Sequence, residues 1–548
     1  MNPIEQRTLD ILNHSSEIIR ELPNSGYWLD QINELKTNVH TKCTLAVGGR
    51  VKAGKSTFIN ALLGENLALV GTTETTATIN RFVYGKPLDP NKPVKVVYKN
   101  GNVSYESQAF MDSFQGNDAK TMALSKGILY FERAIENPIL QEIDLVDTPG
   151  TGAVVAEHQG AAESAFGIKD LQELRKEHSE QTQELVKKAD AVIYLVGAVA
   201  TRDNKEFMDA FQQACDGSSA LNAIGLMSCI DIDEKVLYNS KEQADYVADS
   251  LKEQLSGVMP VSAALYQAVQ QHSSSFVEWQ QFLKSIQRET LEELCDSNDS
   301  AWKGEFDEDL REDGHIVPDL SYRKKMQKEM GVPWSAFRAI INILYNSDSA
   351  EEAIQKVYDL SNFKEVKRVL EDQFFARAKA IKCTVLLSKL NKILWLIRND
   401  ALYSLKRSAK KSDDWIRLID KNIRPTDSSN AEELTAFIRG NIKSQAEIDR
   451  IEKAIMTQLV QPLEELILEI KETNMDYKML QEVHRMKDSF GQYYEELCTL
   501  FGMYGTKPQI SNDEKMSRQM FWQSKAMRYM DRKMQEVAYY AASAYGKL

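Results

Sequence analysis

The 548-residue chain has six cysteines, at 43, 215, 229, 295, 383 and 498, and no two of them form a C-x-x-C pair. That scatter excludes a disulfide framework and is the usage of reduced thiols in a cytosolic protein. No apolar run approaches the roughly 18 residues of a membrane span. The N-terminus lacks the basic-then-apolar pattern of a signal peptide. The expected location is therefore cytoplasmic, with peripheral attachment to a membrane left open. A basic excess is also missing: 67 Lys and Arg stand against 80 Asp and Glu, a net charge of −13. Such a chain is not a nucleic-acid binder by bulk charge. No short-period internal repeat is present, so a solenoid is excluded. What the chain has is length and apolar content, 43% hydrophobic, enough for two or more packed units.

Residues 1–40 have a helical pattern. Ile4, Ile11 and Ile18 recur seven apart beside Leu12, Ile19 and Leu22, and Pro23-Asn24-Ser25-Gly26 breaks the pattern before a second short helix. From Lys42 to about Ala264, short apolar runs alternate with helical stretches. Strands are expected at Thr44–Val47, Phe82–Tyr84, Val94–Tyr98, Ile128–Phe131, Ile143–Val146, Ala191–Val196, Ala223–Met227 and Met259–Val261. This order predicts an α/β nucleotide-binding domain, a mostly parallel sheet with helices on both faces. Residues 276–332, with the cluster Glu305-Phe306-Asp307-Glu308-Asp309, are expected to form a polar insertion or flexible lobe. From Trp334 to the end the pattern is almost wholly helical, with turns at Pro425 and at Gly505-Thr506-Lys507-Pro508, which predicts an elongated helical bundle.

The run Gly49-Arg50-Val51-Lys52-Ala53-Gly54-Lys55-Ser56 matches the P-loop pattern G-x-x-x-x-G-K-S. It lies between a strand pattern and the helical run Thr57-Phe58-Ile59-Asn60-Ala61-Leu62-Leu63, the context this motif requires. Its glycines let backbone N–H groups close round phosphates at the positive end of a helix. Lys55 is expected on the β- and γ-phosphates and the Ser56 hydroxyl on Mg²⁺, with Gly49, Lys52, Ala53, Gly54 and Thr57 completing the cradle. Downstream, the strand Ile143–Val146 runs into Asp147-Thr148-Pro149-Gly150. In GTPases this Asp supports Mg²⁺ through water and this Gly amide senses the γ-phosphate. Between the two motifs lies Thr72-Thr73-Glu74-Thr75-Thr76-Ala77-Thr78, where a switch threonine would ligate Mg²⁺. Thr76 is the candidate and Thr75 the alternative. Base reading is expected from Ser228-Cys229-Ile230-Asp231, where Asp231 can accept two hydrogen bonds from guanine, and from the loop holding Ser262 and Ala263. The lysine that normally packs its stem along the base is replaced by Cys229.

These segments, Gly49–Gly64, Thr75–Ile79 and Asp147–Gly150, together resemble the bacterial branch of the dynamin superfamily over about residues 40–265. The resemblance implies an N-terminal helical arm (1–40) joining a neck bundle, and a GTPase domain (41–375) carrying the polar insertion. It implies further a helical stalk (376–548) whose tip faces a membrane. It also implies GTP as substrate and GDP as product with Mg²⁺, hydrolysis stimulated by pairing of GTPase domains, and membrane remodelling through self-assembly. Lys55, Thr76 and Lys52 would carry catalysis, and Ser56, Thr76 and Asp147 the metal. Gly49, Lys52, Ala53, Gly54, Lys55, Ser56, Thr57, Asp147, Gly150, Asp231, Ser262 and Ala263 would bind the nucleotide. Many dynamins carry Gln and Ser where this chain has Val51 and Lys52. Val51 cannot orient a water, and the Lys52 ammonium either replaces a monovalent cation or points to solvent. Slow hydrolysis is therefore expected, with a nucleotide-dependent scaffold or a regulatory GTPase acting on a protein partner as the alternative.

For membrane contact the candidate segment is 377–411, with ten basic residues against one acidic, Asp400. Its apolar positions Leu386, Leu390, Ile393, Ile397, Ala401 and Leu405 share a helical face, joined by Trp395. Such a helix can lie in an anionic interface, each basic residue adding about 1 kcal/mol. The favoured expectation is a bundle helix whose stripe is core and whose basic face pairs with Glu464, Glu465 and Glu469. The stripe Met516, Met520, Met527, Met530 and Met534 is expected in the bundle core with the Ile4 face.

Overall fold

In the computed structural model the described residues are 2–20, 25–50, 53–64, 79–113, 127–147, 189–199, 205, 208, 222–252, 255–296, 298–406, 460–505 and 507–548. The chain divides into two compact units, Thr44–Phe375 and the pair Met1–Cys43 with Ala376–Leu548.

Among the described residues, a nine-stranded mixed sheet organises the Thr44–Phe375 unit. Its strands are β1 (Cys43–Gly49), β2 (Ile79–Tyr84), β3 (Val94–Tyr98), β4 (Val103–Glu106), β5 (Ile128–Ile135), β6 (Ile143–Asp147), β7 (Ala191–Val196), β8 (Ala223–Met227) and β9 (Val258–Pro260). The order across the sheet is β4-β3-β5-β2-β6-β1-β7-β8-β9. The pairs β1–β7, β7–β8 and β8–β9 are parallel, whereas β2 runs antiparallel to β6. Every residue of β6, β7 and β8 is buried, as expected of strands covered on both faces. Strand β4 escapes the sequence pattern because it is a four-residue edge strand whose Val103 and Tyr105 face outward.

Residues 276–332 correct the expectation of a polar, flexible lobe. They form helices Phe276–Lys284, Arg288–Leu294, Asp307–Glu312 and Leu320–Met330. Phe276, Trp279, Leu283, Leu291, Leu294 and Trp302 join the same apolar core as Val192, Tyr194 and Met227 of the sheet. The acidic run has a buried counterion. Arg323, with no exposed surface, grips both Asp307 oxygens at 2.7 and 2.5 Å and donates to the Ala301 and Trp302 carbonyls. A carboxylate so neutralised can sit inside a core that its sequence neighbours disguise.

The second unit is helical. Its main helices are Pro3–Ile19, Ser25–Val39, Ala378–Lys406, Gln461–Arg485, Tyr494–Leu500, Asn512–Arg528 and Arg532–Lys547. The first helix starts on a capping box in which Asn2 and Glu5 satisfy each other's end of the first turn. Ile4, Ile11, Leu12 and Ile19 share one core with Leu386, Leu390, Ile393 and Ile397, the stripe foreseen in the basic segment. Ile18 is only partly buried and Ile19 takes its place. Trp395 lies off the stripe, 55% exposed. Arg398 bonds Glu464, Lys379 bonds Glu5, and Arg377 and Lys382 are buried. Residues 407–411, the basic end of that segment, and the Pro425 turn lie outside the described residues.

The methionine stripe is also corrected. Met516, Met520, Met527 and Met530 are 65%, 59%, 76% and 100% exposed, and the core takes Trp522 and Ala526 instead. Met516, Met520 and Met527 share a face at helical spacing, and Trp522 and Ala526 fall about a third of a turn away from it. The indole outcompetes the thioethers because its ring fills the core while its N–H reaches Glu496 at 3.0 Å. Of the stripe, Met534 alone packs against the core, among its fringe residues.

Candidate functional site

Strand β1 delivers its C-terminal Gly49 next to β7, in register with Leu195. Gly49 has φ +150°, and a Cβ there would stand 2.7 Å from the Leu195 carbonyl oxygen. Only glycine lets the chain leave the sheet at this point. The loop re-enters helix Lys55–Leu63 through Gly54, φ +75°, with no side-chain cap on the helix start. The first-turn N–H groups of that helix therefore point outward as anion donors, reinforced by the helix dipole.

Lys55 opens the helix and is buried. Its ammonium donates to the carbonyls of Gly49 at 3.2 Å and Arg50 at 2.9 Å, inside the loop. Burial lowers its pKa, and the Asp147 charge opposes that. Ser56 Oγ donates to Asp147 Oδ2 at 3.3 Å, so β6 brings its last residue onto the start of the helix. Asp147 Oδ1 has no hydrogen-bond partner among the described residues. Burial pushes the Asp147 carboxyl up to about 6, against Lys55, Ser56 and Asn80, which favour its ionised form. A hydroxyl beside a carboxylate with one buried orphan oxygen is a hard-oxygen donor set that fits Mg²⁺ keeping part of its water shell.

The second half of the site is the loop after β8. Ser228 Oγ donates to the Ala53 carbonyl at 2.7 Å, tying this loop to the P-loop. Cys229 has φ +56°, rare for a residue with a side chain. Its sulfur lies over Gly54, 3.4 Å from where a Cβ on that glycine would be. Burial first, then the Asp231 charge, pushes the Cys229 thiol up to about 11, so it is a neutral thiol rather than a nucleophile. Asp231 is 4% exposed. Burial raises its pKa and a hydrogen bond from Ser262 opposes this. Ser262 also caps helix Ala263–His272, accepting from the Leu265 N–H at 3.1 Å. From a separate helix, Ser335 donates its hydroxyl to the Asp231 carbonyl.

The fold thus gathers Gly49, Ala53, Gly54, Lys55, Ser56, Asp147, Asp231, Ser262 and Ala263 along the C-terminal ends of β1, β6, β8 and β9, where ligands bind in open α/β sheets. Thr57 lies in the first turn of helix Lys55–Leu63. Val51, Lys52, Thr75, Thr76 and Gly150 lie outside the described residues. Sequence reasoning missed Asn80, Ser335 and the role of Ser228 as a tie. Asn80 carried no sequence signal: it is followed by Arg81 and precedes the expected strand Phe82–Tyr84. Ser335 had none, since more than a hundred residues separate it from Asp231.

A model described as the Dynamin family matches residues 45–219. Among curated proteins, an uncharacterised protein in the xynA 3′ region of Caldicellulosiruptor is 23% identical over 267 residues, covering 47% of this chain and 58% of that protein. Dynamin-like protein A of Bacillus subtilis is 36% identical over 92 residues, 16% of this chain and 7% of that protein. The isoniazid-induced protein IniC of Mycobacterium tuberculosis is 27% identical over 134 residues, 23% of this chain and 24% of that protein. The chain thus matches less than two thirds of the length of each of these relatives. Two solved structures of an oligomerised bacterial dynamin pair, described as sensing and tethering membranes at long range, align over 95% and 99% of this chain. They cover 86% and 82% of those chains at 12% and 16% identity, each with a TM-score of 0.30.

Proposed function

We propose that the chain carries a dynamin-family GTPase domain, binds GTP with Mg²⁺, hydrolyses it slowly, and uses the nucleotide state to control self-assembly on a membrane; the match of residues 45–219 to the Dynamin family supports this reading. The observation that carries the nucleotide part is the 3.3 Å contact between Ser56 and Asp147, two motifs far apart in sequence meeting beside the buried Lys55 ammonium. No arrangement of a purely structural loop calls for a buried lysine, a buried carboxylate and uncapped helix N–H groups at one point.

In this reading the N–H groups of the first helical turn and Lys55 bind the β- and γ-phosphates and draw off charge as it moves to the leaving oxygen. Ser56, Asp147 and Thr76 would hold the Mg²⁺. The chemistry Mg²⁺ would supply there is neutralisation of phosphate charge. Asp231 accepts the two guanine N–H groups, and Ser262 and Ser335 fix its carboxylate and backbone. Thr76 and Gly150 would report the γ-phosphate to the rest of the chain. Val51 gives no hydrogen bond to an attacking water, which supports slow turnover, while Lys52 would stand in for a monovalent cation.

Membrane attachment through the basic end of 377–411 and pairing of GTPase domains belong to the same proposal. The membrane-tethering role of the oligomerised bacterial dynamin pair is a property of those proteins. No helix among the described residues is long and apolar enough to cross a membrane. The alternative is a nucleotide-dependent scaffold or regulatory GTPase acting through a protein partner, favoured by the thiol of Cys229 where a lysine stem would cover the base. Phosphate release over many turnovers, at high protein concentration with anionic liposomes, separates the two. Turnover that disappears in Lys55→Ala supports the enzyme. Tight GTP binding without turnover supports the scaffold.

A further inference from the structure

Strand β2 runs antiparallel to β6 with Phe82 opposite Leu145, Arg81 opposite Val146 and Asn80 opposite Asp147. Phe82 and Leu145 have no exposed surface, so this face of the pair is apolar until its last rung, where a carboxamide meets a carboxylate. Asn80 is 2% exposed. Among the described residues, neither its Oδ1 nor its Nδ2 makes a hydrogen bond of ordinary geometry, and Asp147 Oδ1 makes none either. Directly opposed side chains in an antiparallel pair have Cβ atoms about 4.5–5.5 Å apart, close enough to share one small molecule or one hydrogen bond. Leaving a buried amide unsatisfied destabilises a fold, and an apolar residue would complete the face that Phe82 and Leu145 begin. The amide is therefore unfavourable for the strand itself. It stands across from the one carboxylate that also touches Ser56, with unused donor and acceptor capacity at that point.

We infer that Asn80 is a positioning residue of the divalent-cation site, its Nδ2 donating to Asp147 Oδ1 and its Oδ1 accepting from a water of the cation's shell. This rests on the nucleotide reading above. Outer groups of this kind orient the ligands that touch the metal and typically change metal affinity 10- to 100-fold when removed. Asn80 is also four residues beyond Thr76 on the same chain direction, so a cation shell that engages Asn80 bears on the strand leading out of the threonine-rich segment.

The test is GDP binding to the full chain, measured by equilibrium titration in EDTA and across a Mg²⁺ series, with thermal melting alongside. Asn80→Ala and the near-isosteric Asn80→Leu are compared with the natural sequence. The inference predicts GDP affinity in EDTA within about twofold of the natural protein. It predicts a half-saturating Mg²⁺ concentration raised about 10- to 100-fold in both variants, and an unchanged or higher melting temperature for Asn80→Leu. An unchanged Mg²⁺ requirement in Asn80→Leu overturns it. So does a GDP affinity that falls equally with and without Mg²⁺, or loss of folding in both variants, because each assigns Asn80 to packing alone. Failure of the natural protein to bind GDP at all would instead overturn the nucleotide reading, and it shows before any substitution is made.

Discussion

Ser228 Oγ donates a 2.7 Å hydrogen bond to the carbonyl oxygen of Ala53, joining the loop after β8 to the P-loop across 175 residues. Through this bond the group that would read the base and the groups that would bind phosphate become one rigid piece. Ser228→Ala leaves the Ala53 carbonyl without its partner at a cost of about 1–3 kcal/mol. GTP affinity should fall about 5- to 100-fold, and the loss should be larger for GTP than for inorganic triphosphate, which needs no base loop. Calorimetric titration with both ligands checks this.

Asp147 has opposite effects on stability and on cation binding. Its carboxyl is pushed up to about 6 by burial, so the folded chain holds this proton more tightly than the unfolded chain does. Folding is therefore least penalised below the ordinary carboxylate range. The penalty grows as pH rises towards 6 and is complete above it. Asp147→Asn should stabilise the ligand-free protein at pH 7 by about 1–3 kcal/mol. The same substitution should abolish the Mg²⁺-dependent gain in GDP affinity. In the natural protein that gain should fade as pH drops through about 6, because the neutral carboxyl no longer holds a hydrated cation. Urea unfolding at pH 5 and pH 7, with and without Mg²⁺ and GDP, measures both effects.

Arg323 and Asp307 form a buried pair with no exposed surface on the arginine side chain. Asp307→Ala strands that guanidinium and should destabilise the Thr44–Phe375 unit by about 3–5 kcal/mol. The exposed neighbours Glu308 and Asp309 should tolerate alanine within about 0.5 kcal/mol. Thermal melting of the three variants distinguishes a core counterion from a solvated acidic run.

In the helical unit, Trp522→Ala should cost about 3–5 kcal/mol, since it opens a cavity and leaves Glu496 without the indole N–H. Met516→Gln, Met520→Gln and Met527→Gln together should leave the melting temperature nearly unchanged, because these side chains are already in water. A large loss in the triple variant would show that the stripe is covered in solution.

The parts of the fold legible in sequence were those carried by continuous apolar runs. β7 and β8 were placed to the residue because strands buried on both faces have no polar alternation to blur their ends. The P-loop was legible because its glycines, lysine and serine act through local backbone geometry. What failed depended on partners distant in sequence. The acidic segment 305–309 hides a core position because Arg323 neutralises Asp307 from another helix. The methionine stripe gave the right period and the wrong face, since spacing alone does not say that Trp522 has Glu496 to bond. Asn80 and Ser335 became visible only when the sheet register and the helix packing set them beside Asp147 and Asp231.

Equilibrium binding tests the GTP site built on Lys55, Ser56 and Asp147. GTP and ATP are titrated into the full chain, with Mg²⁺ in excess and with EDTA, for the natural sequence and for Lys55→Ala. The account predicts GTP bound at least about tenfold more tightly than ATP, strengthened by Mg²⁺, and lost in Lys55→Ala while the protein still melts cooperatively. Equal binding of ATP, or GTP binding that survives Lys55→Ala undiminished, would contradict it.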